Sequence, residues 1–409
     1  MKAFLGKLKN YLIRNGRILW WFWKYALLAK LHFWNYRSDK VIMLRLDLIG
    51  DCTMFTSAAK TIREFYADKD FTVVCLSISQ PIFERLGIFD HIISVDFRPE
   101  SIDYKKLRAL TKKIRKEKYH ILLQPQVSKL PIADILGAVI RCNQRIAIET
   151  KPGNSSEKWV RMTDFLYDKD KRVPYPRGIV SEFDYYGTFV RGIGVVDYQT
   201  KCPDLHYYAQ SFVEGSYYVL YPGASYSQKV WPPERFAKLA DHVFERTGMT
   251  GVILGSESDR RAADIILSQL RPQTEMSIIS LIGKTTVFDV IDIIGNAKLV
   301  ISNDTSGVHI ACATRTPSVV NAGGWHFERF LPYHIEDVHE DDKLPLVAYT
   351  LMPCYQCDLD WSIVEERNKV CIQRLRQGES CECIDQVSYE QMRILVDRVI
   401  ERERLDVLN

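Results

Sequence analysis

The sequence predicts an α/β protein with two Rossmann-like domains, and three observations support this. Short apolar runs alternate with amphipathic stretches over residues 40–149, and the alternation resumes over residues 217–321. A polar stretch rich in Pro, Gly, Asn and Lys, residues 151–177, lies between the two series. A chain of 409 residues with 46% hydrophobic residues can fill two cores of ordinary size. Alternation of this kind is typical of βαβ units around parallel sheets.

In the first series, five apolar runs predict strands and the stretches between them predict helices. The predicted strands are residues 40–46, 71–77, 91–96, 119–124 and 145–149. The predicted helices are residues 53–66, 81–86, 104–118 and 132–141. Residues 151–177 predict a surface loop, followed by a helix at 182–192 and a second loop at 198–214.

The second series repeats the pattern. Its predicted strands are residues 217–221, 250–254, 276–281, 298–302 and 317–321. Its predicted helices are residues 233–247, 258–270, 286–296 and 306–314. Ser388-Tyr-Glu-Gln391 has the spacing of a capping box and predicts a terminal helix to about residue 403. Two such series joined by one linker predict two domains that face a cleft.

Two strand-to-helix loops carry the most chemical information. One is Tyr221-Pro-Gly-Ala-Ser-Tyr-Ser-Gln-Lys-Val-Trp-Pro-Pro-Glu-Arg-Phe236, and the other is Asn303-Asp-Thr-Ser-Gly-Val-His309. A helix N-terminus offers unpaired amides and the positive end of a dipole, so such loops suit a diphosphate. Lys229 adds a cation to the first loop and Asp304 adds an acceptor to the second. The two loops therefore predict a nucleotide-sugar site.

Together with Gly283-Lys-Thr285 and Arg45-Leu-Asp-Leu-Ile-Gly-Asp51, these loops resemble the motifs of glycosyltransferase family 9, in family order. That family includes the ADP-heptose:lipopolysaccharide heptosyltransferases. Ser306 departs from the pattern, because many members have Gly there. The resemblance implies a GT-B fold and inverting transfer of heptose from ADP-heptose to a lipopolysaccharide-core or related glycolipid acceptor. It also implies a cytoplasmic protein at the inner face of a bacterial inner membrane.

Two other functions stay open at this point. GT-B folds also serve nucleotide-sugar 2-epimerases, and a non-catalytic membrane-bound sugar-binding protein could keep the same fold. The three D-x-D sequences do not directly follow predicted core strands, which favours a metal-independent transferase without a catalytic cofactor.

The resemblance also implies roles for individual residues. Asp51 is expected to be the base that takes the acceptor proton, the alternative being a simple helix cap. Lys229 is expected to neutralise charge on the diphosphate, the alternative being a solvated surface lysine. Glu257 is a candidate for the ribose hydroxyls, and His309 either faces the diphosphate or packs. The predicted substrate-binding residues are Gly50, Ser225, Glu257, Asp304, Thr305, Ser306, Gly307 and His309.

Five of the ten cysteines form a cluster near the C-terminus. They are Cys354, Cys357, Cys371, Cys381 and Cys383. The C-x2-C spacing predicts a structural zinc site, while the irregular spacing that follows it suits free thiols or local packing. A disulfide or another metal is the third interpretation.

The N-terminal segment is basic and aromatic. Residues 1–37 carry eight Lys or Arg and no Asp or Glu, although the net charge of the chain is only +4. Interleaved Trp and Lys predict an interfacial helix on an anionic membrane surface; packing on the protein itself and insertion into the bilayer are the alternatives. Because the basic charge is concentrated here, a nucleic-acid partner is not expected. The first core strand begins near Lys40, so loss of residues 1–36 is expected to leave the protein folded.

These predictions divide the chain into four parts. They are a membrane-surface arm (1–38), an N-terminal acceptor domain (39–205), a nucleotide-sugar domain with the cysteine-rich tail (206–385) and a terminal helix (386–409). In the resembling fold, that last helix crosses back to the N-terminal domain.

Overall fold

The protein forms two compact units, each assembled from several segments of the chain. The computed structural model describes residues 16, 19–30, 36–96, 104–151, 154–176, 178, 180–209, 213–355, 357 and 366–406. The first unit consists of Met1–Leu48, Ala58–Arg177 and Tyr185–Tyr198. The second consists of Ile49–Ser57, Gly178–Asp184 and Gln199–Asn409. The segment that contains Asp51 is therefore part of the second unit.

The first unit is built around a parallel six-stranded sheet. Its strands are β1 (Lys40–Arg45), β2 (Asp70–Leu76), β3 (His91–Val95), β4 (Tyr119–Gln124), β5 (Cys142–Ile148) and β6 (Arg172–Val173). Their order is β3-β2-β1-β4-β5-β6. The central strand β1 is buried over five of its six residues, as expected when helices cover both faces of a parallel sheet. This doubly wound order reverses direction between β1 and β4.

The helices of the N-terminal half agree in part with the predicted ones. They are α1 (residues 19–30), α2 (Ile49–Met54), α3 (Thr56–Phe65), α4 (Gln80–Leu86), α5 (Tyr104–Ile114), α6 (Pro131–Val139), α7 (Glu157–Thr163) and α8 (Glu182–Gly192). The single helix predicted over 53–66 is wrong, because a turn at Phe55 separates α2 from α3. The loop predicted over 151–177 is also wrong in detail, since it contains α7 and β6.

Helix α1 is part of the core of the first unit. Phe22 and Ala26 are fully buried, and Trp21 is 5% exposed. Trp21 packs edge-on against Tyr104 with ring centroids 5.2 Å apart, and Phe22 lies 5.5 Å from Trp159. Loss of residues 1–36 would therefore remove part of the core of the first unit, which the expectation of a dispensable segment did not include. For the side of α1 that carries Trp21, Phe22 and Ala26, the alternative prediction, that the segment packs on the protein itself, is correct.

The rest of the predicted arm, residues 1–15, 17–18 and 31–35, lies outside the described residues. None of the described helices is long and apolar enough to cross a membrane.

The second unit repeats the sheet topology of the first. Its strands are β7 (Tyr217–Tyr221), β8 (Thr250–Ile253), β9 (Ile278–Ser280), β10 (Leu299–Asn303), β11 (Ser318–Asn321) and β12 (Leu346–Ala348). Their order is β12-β11-β10-β7-β8-β9, and every pairing is parallel. Here the direction reverses between β7 and β10, so the loops after these two strands lie at the point where doubly wound folds bind ligands.

The helices that follow in the second unit include three that the sequence did not predict. The set is α9 (Pro233–Thr247), α10 (Arg260–Gln269), α11 (Pro272–Glu275), α12 (Val287–Asn296), α13 (Ser306–Ala313), α14 (Glu366–Arg376), α15 (Glu382–Asp385) and α16 (Tyr389–Arg402). Helix α9 opens with Pro233 at its first position and closes at Gly248, whose φ of 62° suits a helix C-cap. The unpredicted helices are α11, α14 and α15.

The terminal helix α16 begins at the predicted capping box. Ser388 accepts a hydrogen bond from the amide of Gln391, whose side chain in turn accepts from the amide of Ser388. The helix packs against α9, β11 and β12 and buries Val396 and Val399. Helix α16 belongs to the second unit.

Candidate active site

The two loops singled out by the sequence meet at the ends of β7 and β10, and Asn303 ties them together. Its fully buried side chain donates to the carbonyl of Pro222 at 2.5 Å and accepts from the amide of Trp231 at 3.1 Å. Asn321, at the end of β11, donates to the same oxygen at 2.7 Å. Asn303 lies inside a recognised motif, yet its linking role was not predicted because its partners are distant in sequence.

Lys229 and Asp304 form an ion pair where these loops meet. The Lys229 Nζ lies 2.7 Å from Asp304 Oδ2, with the side chains 15% and 8% exposed. The ammonium also lies 5.6 Å from the centre of the Trp325 ring and 5.5 Å from that of Phe330. Within the described part of the chain, the buried Asp304 Oδ1 has no hydrogen-bond partner. A buried acceptor without a donor is costly, so a ligand hydroxyl at this oxygen would relieve the cost.

The N-terminus of α13 adjoins this pair. Thr305 has extended backbone, and its side chain does not cap the helix. The amides of the first turn are consequently not satisfied by the side chain that usually serves them. Gly307 allows close packing, because a Cβ there would lie 2.8 Å from Cγ of Tyr221. Ser306, half-buried, hydrogen-bonds to Tyr221.

His309 lies one turn further along α13 and is a buried neutral imidazole. Its Nδ1 is 2.6 Å from the Tyr333 hydroxyl, and the two rings are parallel within 5°. Burial lowers the pKa of His309 from 6.5 to about 4, with Lys229 lowering it further and Asp304 opposing the change. The ring therefore carries no charge at neutral pH. Tyr333 was not predicted as part of the site, and no pattern near it pointed to this contact.

Helix α2 brings Gly50 and Asp51 to the same end of α13. A Cβ on Gly50 would lie 2.9 Å from His309 Cδ2 and 3.6 Å from the Cα of Ser306, so the absence of a side chain permits the approach. Asp51 is half-buried and lies in the first turn of α2, which begins at Ile49. The helix starts earlier than predicted, so Asp51 is inside the first turn rather than at the cap position.

A second carboxylate near α2 has a different environment. Asp47, in the first unit, lies 2.9 Å from Arg45 Nε and accepts a 2.5 Å hydrogen bond from Gln126. These contacts connect the chain just beyond β1 with the loop after β4. Asp47 therefore has a structural role at the end of the first sheet.

Glu257 and Ser225 lie at the edges of the site. Glu257 is exposed and binds Arg260 through two hydrogen bonds of 2.5 and 2.6 Å, which lower the pKa of the carboxyl group. A Cβ on Gly283 would lie 2.5 Å from Glu257 Oε2, so the Gly-Lys-Thr loop passes directly beside this carboxylate. Ser225 is exposed in the loop after β7.

Asp259 was missed by the sequence analysis. Its carboxylate completes a capping box with Ser256 and would lie within 2.6 Å of a Cβ on Gly223. The Pro222-Gly223 turn therefore passes directly over this carboxylate.

The cysteine cluster is brought together in the core of the second unit. Cys357, Cys371, Cys381 and Cys383 are buried, Cys354 is half-buried, and all five are free thiols. Cys381 donates to Cys371 and lowers the pKa of that thiol to about 6, while the amide of Gly324 donates to the Cys383 sulfur at 3.2 Å. Among the residues that the structure describes, no group of three or more His, Cys, Asp or Glu is arranged to hold a metal ion.

Comparison with known proteins gives a consistent family assignment. The model of glycosyltransferase family 9 (heptosyltransferase) matches residues 193–323. Lipooligosaccharide heptosyltransferase 2 of Haemophilus ducreyi is 33% identical over 97 residues, which are 24% of this chain and 28% of that protein. Lipopolysaccharide core heptosyltransferase OpsX of Haemophilus influenzae is 22% identical over 302 residues, or 71% of this chain and 81% of that protein. The chain thus spans less than a third of the first curated relatives that it matches.

Solved structures share the fold. The E. coli ADP-heptose lipopolysaccharide heptosyltransferase II superposes with a TM-score of 0.64 at 16% identity, covering 89% of this chain and 99% of that chain. TibC of enterotoxigenic E. coli, an iron-containing dodecameric glycosyltransferase, superposes with a TM-score of 0.51 at 12% identity. The match covers 89% of this chain and 77% of that chain. The predicted α/β GT-B class is confirmed. The family model, the curated heptosyltransferases and the shared fold confirm the resemblance predicted from the motifs, and residues 193–323 of the chain match the family model.

Proposed function

We propose that this protein is an inverting glycosyltransferase that moves heptose from ADP-heptose to a lipopolysaccharide-core or related glycolipid acceptor. The observation that carries the proposal is the Lys229–Asp304 pair beside the N-terminus of α13. A buried cation, a carboxylate oxygen without a donor and uncapped helix amides are the groups that a sugar diphosphate requires. The family match over residues 193–323 supports the same class of reaction.

The donor would be held by groups on both loops. Lys229 and the first amides of α13, at Ser306 and Gly307, would receive the diphosphate, whose negative charge matches the ammonium and the helix dipole. The open Oδ1 of Asp304 would accept a hydroxyl of the transferred sugar. Glu257, at the exposed edge of the site, would accept the ribose hydroxyls. His309 is neutral and would not compete with Lys229 for the phosphates.

In the transfer step, the acceptor hydroxyl oxygen attacks the anomeric carbon while the bond from that carbon to the phosphate oxygen breaks. ADP leaves with the bonding electron pair, the acceptor proton passes to Asp51, and the anomeric configuration inverts. Asp51 is preferred to Asp47 as the base, because Asp51 is the Asp of the Ile-Gly-Asp motif and Asp47 lies at a less constrained position of that pattern. Lys229 and the α13 amides would stabilise the leaving group without a divalent cation.

The proposal is tested by transfer assays with purified full-length protein. ADP-heptose, UDP-sugars and GDP-sugars are offered with a lipid A–core acceptor, with and without EDTA, and the product linkage is determined by NMR. We expect transfer from ADP-heptose alone, with inverted configuration and no loss in EDTA. Transfer only from another nucleotide sugar would refute the donor assignment. Conversion of the donor without acceptor would indicate an epimerase, and donor binding without any turnover would indicate a sugar-binding protein.

Replacement of Asp51 tests the base. Loss of a general base lowers the rate by about 100- to 10,000-fold, so Asp51→Asn should reduce kcat in this range. Donor affinity should change by less than about twofold, because Asp51 acts on the acceptor proton. Asp47→Asn is the matched control and should reduce kcat by less than about tenfold, because its carboxylate has a structural role. An Asp51→Asn enzyme that turns over at the wild-type rate would show that Asp51 only stabilises α2.

The acceptor class also suggests where the protein works. A lipopolysaccharide-core precursor is anchored in a bilayer, so we propose action at the cytoplasmic face of the bacterial inner membrane. Cell fractionation of the full-length protein would test this location.

A further inference from the structure

Helix α1 has two apolar sides, and only one is used by the core. Successive residues turn by about 100° along a helix, so Trp21, Phe22 and Ala26 share the buried side. The opposite side carries Leu19, Trp20, Trp23 and Leu27, which are 37%, 57%, 40% and 51% exposed. We call these four residues the outer strip. Large aromatic and aliphatic side chains grouped on one exposed side indicate an interaction surface.

Lysines border the outer strip on α1. Lys24 lies 5.2 Å from the centre of the Trp20 ring and 5.5 Å from that of Tyr25. Lys30, the last described residue of this helix, is exposed and lies 3.5 Å from Asp168 Oδ1. Apolar aromatics with flanking lysines are typical of segments that lie at a lipid–water interface.

The neighbouring helix α5 carries the strongest basic charge of the described first unit. Helix α1 lies beside it, since Trp21 contacts Tyr104 at 5.2 Å and Arg115 lies 4.8 Å from the Tyr25 ring. Helix α5 contains no Asp or Glu. Its exposed cations and the one after it form what we call the basic row: Lys105, Lys106, Arg108, Lys112, Lys113 and Lys116. The basic row was not predicted, because the basic charge of the chain was assigned to the N-terminal segment alone.

An arginine-lined pocket lies between α1 and the rest of the unit. It is a narrow cleft, and its walls include Leu28, Ala29, Arg115, Arg141 and Arg145. Backbone carbonyls hold the guanidinium groups: Arg115 donates to Val139 at 3.1 Å and Arg145 to Ile140 at 2.8 Å. None of the described residues that line it is acidic. Such fixed cations suit a phosphate group.

We propose that the outer strip, the basic row and the arginine pocket form one docking face for an anionic lipid bilayer. The outer strip would enter the interface, and the basic row and the arginines of the pocket would attract the headgroups. An anionic bilayer fits both the charge and the apolar side chains of this face. Nucleic acid would contact the basic row but would leave the apolar outer strip exposed to water. The inference deepens the proposed function by naming the surface that meets the acceptor membrane, but it does not depend on which sugar is transferred.

Vesicle co-sedimentation of the full-length protein, without donor or acceptor, tests the docking face. Vesicles of phosphatidylcholine alone are compared with vesicles containing 30% phosphatidylglycerol (on the order of physiological anionic content), at low and high salt. We expect binding to the anionic vesicles that weakens with salt. Neutralising Arg108, Lys112 and Lys113 to Gln should lower the low-salt partition coefficient by about 100-fold, because each surface cation contributes about fivefold and the three factors multiply.

A matched control removes the same charge elsewhere. Lys238, Arg261 and Arg398 are exposed in the second unit, and neutralising all three to Gln should change binding by less than about twofold. Trp20→Ala with Leu27→Ala should lower binding by at least about tenfold at both salt concentrations, since apolar burial is not screened. Arg141→Gln, in the pocket, should reduce binding by about fivefold.

Three results would overturn the proposal. The first is an equal loss of vesicle binding in the α5 triple variant and in the control triple variant. The second is a wild-type protein that does not bind anionic vesicles. The third is tighter binding to a DNA duplex than to anionic vesicles at the same ionic strength. Circular dichroism of each variant separates loss of binding from loss of fold. Because no sugar is present, failure here would leave the transferase proposal intact, and failure of the transfer assay would leave this one intact.

Discussion

Gly50 offers the sharpest test of how α2 is seated on α13. A Cβ at this position would lie 2.9 Å from His309 Cδ2, closer than carbon atoms approach without a shift. The ring cannot easily give way, because it is 5% exposed, stacked on Tyr333 and hydrogen-bonded to it at 2.6 Å. Gly50→Ala should therefore push α2 away from α13 and displace Asp51, its next residue.

Two opposing effects set the size of the change. Ala is favoured over Gly within a helix by about 0.5–1 kcal/mol, which alone would stabilise the variant. Overpacking a buried contact costs about 1–3 kcal/mol. Because Tyr333 holds the ring in place, we expect the overpacking cost to exceed the helix gain, so that Gly50→Ala lowers the free energy of unfolding by about 1 kcal/mol. Displacement of Asp51 should also reduce kcat by about tenfold or more.

The assay is a double-mutant cycle with His309→Ala. Urea unfolding and kcat are measured for wild type, both single variants and the double variant. Without the imidazole, Gly50→Ala should no longer destabilise the protein, giving a coupling of about 1–3 kcal/mol between the two positions. If Gly50→Ala has the same effect with and without the ring, the close approach of α2 to His309 does not govern the position of Asp51.

Two further predictions concern stability. Because burial lowers the pKa of His309 from 6.5 to about 4, the unfolded chain takes up a proton more readily, and stability is lost as the pH falls between these values. Between pH 7.5 and pH 5, His309 should lower the free energy of unfolding by about 2 kcal/mol. This contribution should be absent in His309→Gln when urea unfolding is compared at the two pH values. If the variant keeps the same pH dependence as the wild type, His309 is not a neutral buried ring. Phe22→Ala should lower the free energy of unfolding by about 3–5 kcal/mol because the ring is fully buried. The control Trp20→Ala should lower it by less than about 0.5 kcal/mol. If thermal unfolding shows equal shifts in melting temperature for both variants, α1 is not part of the core.

The regular parts of the fold could be predicted because local signals agree with tertiary packing there. The central strands are buried runs flanked by amphipathic helices, and the Ser388 capping box marks the start of α16 where expected. Short elements carry no such signal. Strand β12 has only three residues, α15 has four, and both depend on packing with the sheet and core of the second unit. Sequence periodicity cannot reveal elements that contain fewer than two repeats of their own pattern.

Helix α1 was misjudged for a different reason. Its aromatic residues surround the whole helix, and a pattern without a polar side does not say which side is buried. In the structure, Trp21 and Phe22 face the core while Trp20 and Trp23 face outward. The prediction treated all four as one membrane-facing group, although they have two separate roles.

The site shows the same limit in another form, because a motif names chemical types but not their partners. In the Tyr221–Phe236 segment, Trp231 is fully buried and donates to the carbonyl of Val387 at 2.8 Å, and Arg235 binds Asp385 at 2.9 Å. These two residues attach the segment to the chain just before α16. Lys229, two positions before Trp231, instead meets Asp304 from the other loop. The motif thus contains two residues that attach the loop to the protein, Trp231 and Arg235, and one cation, Lys229, that the attached loop positions. The tight attachment on one side explains how an otherwise irregular loop can keep Lys229 within 2.7 Å of a buried carboxylate.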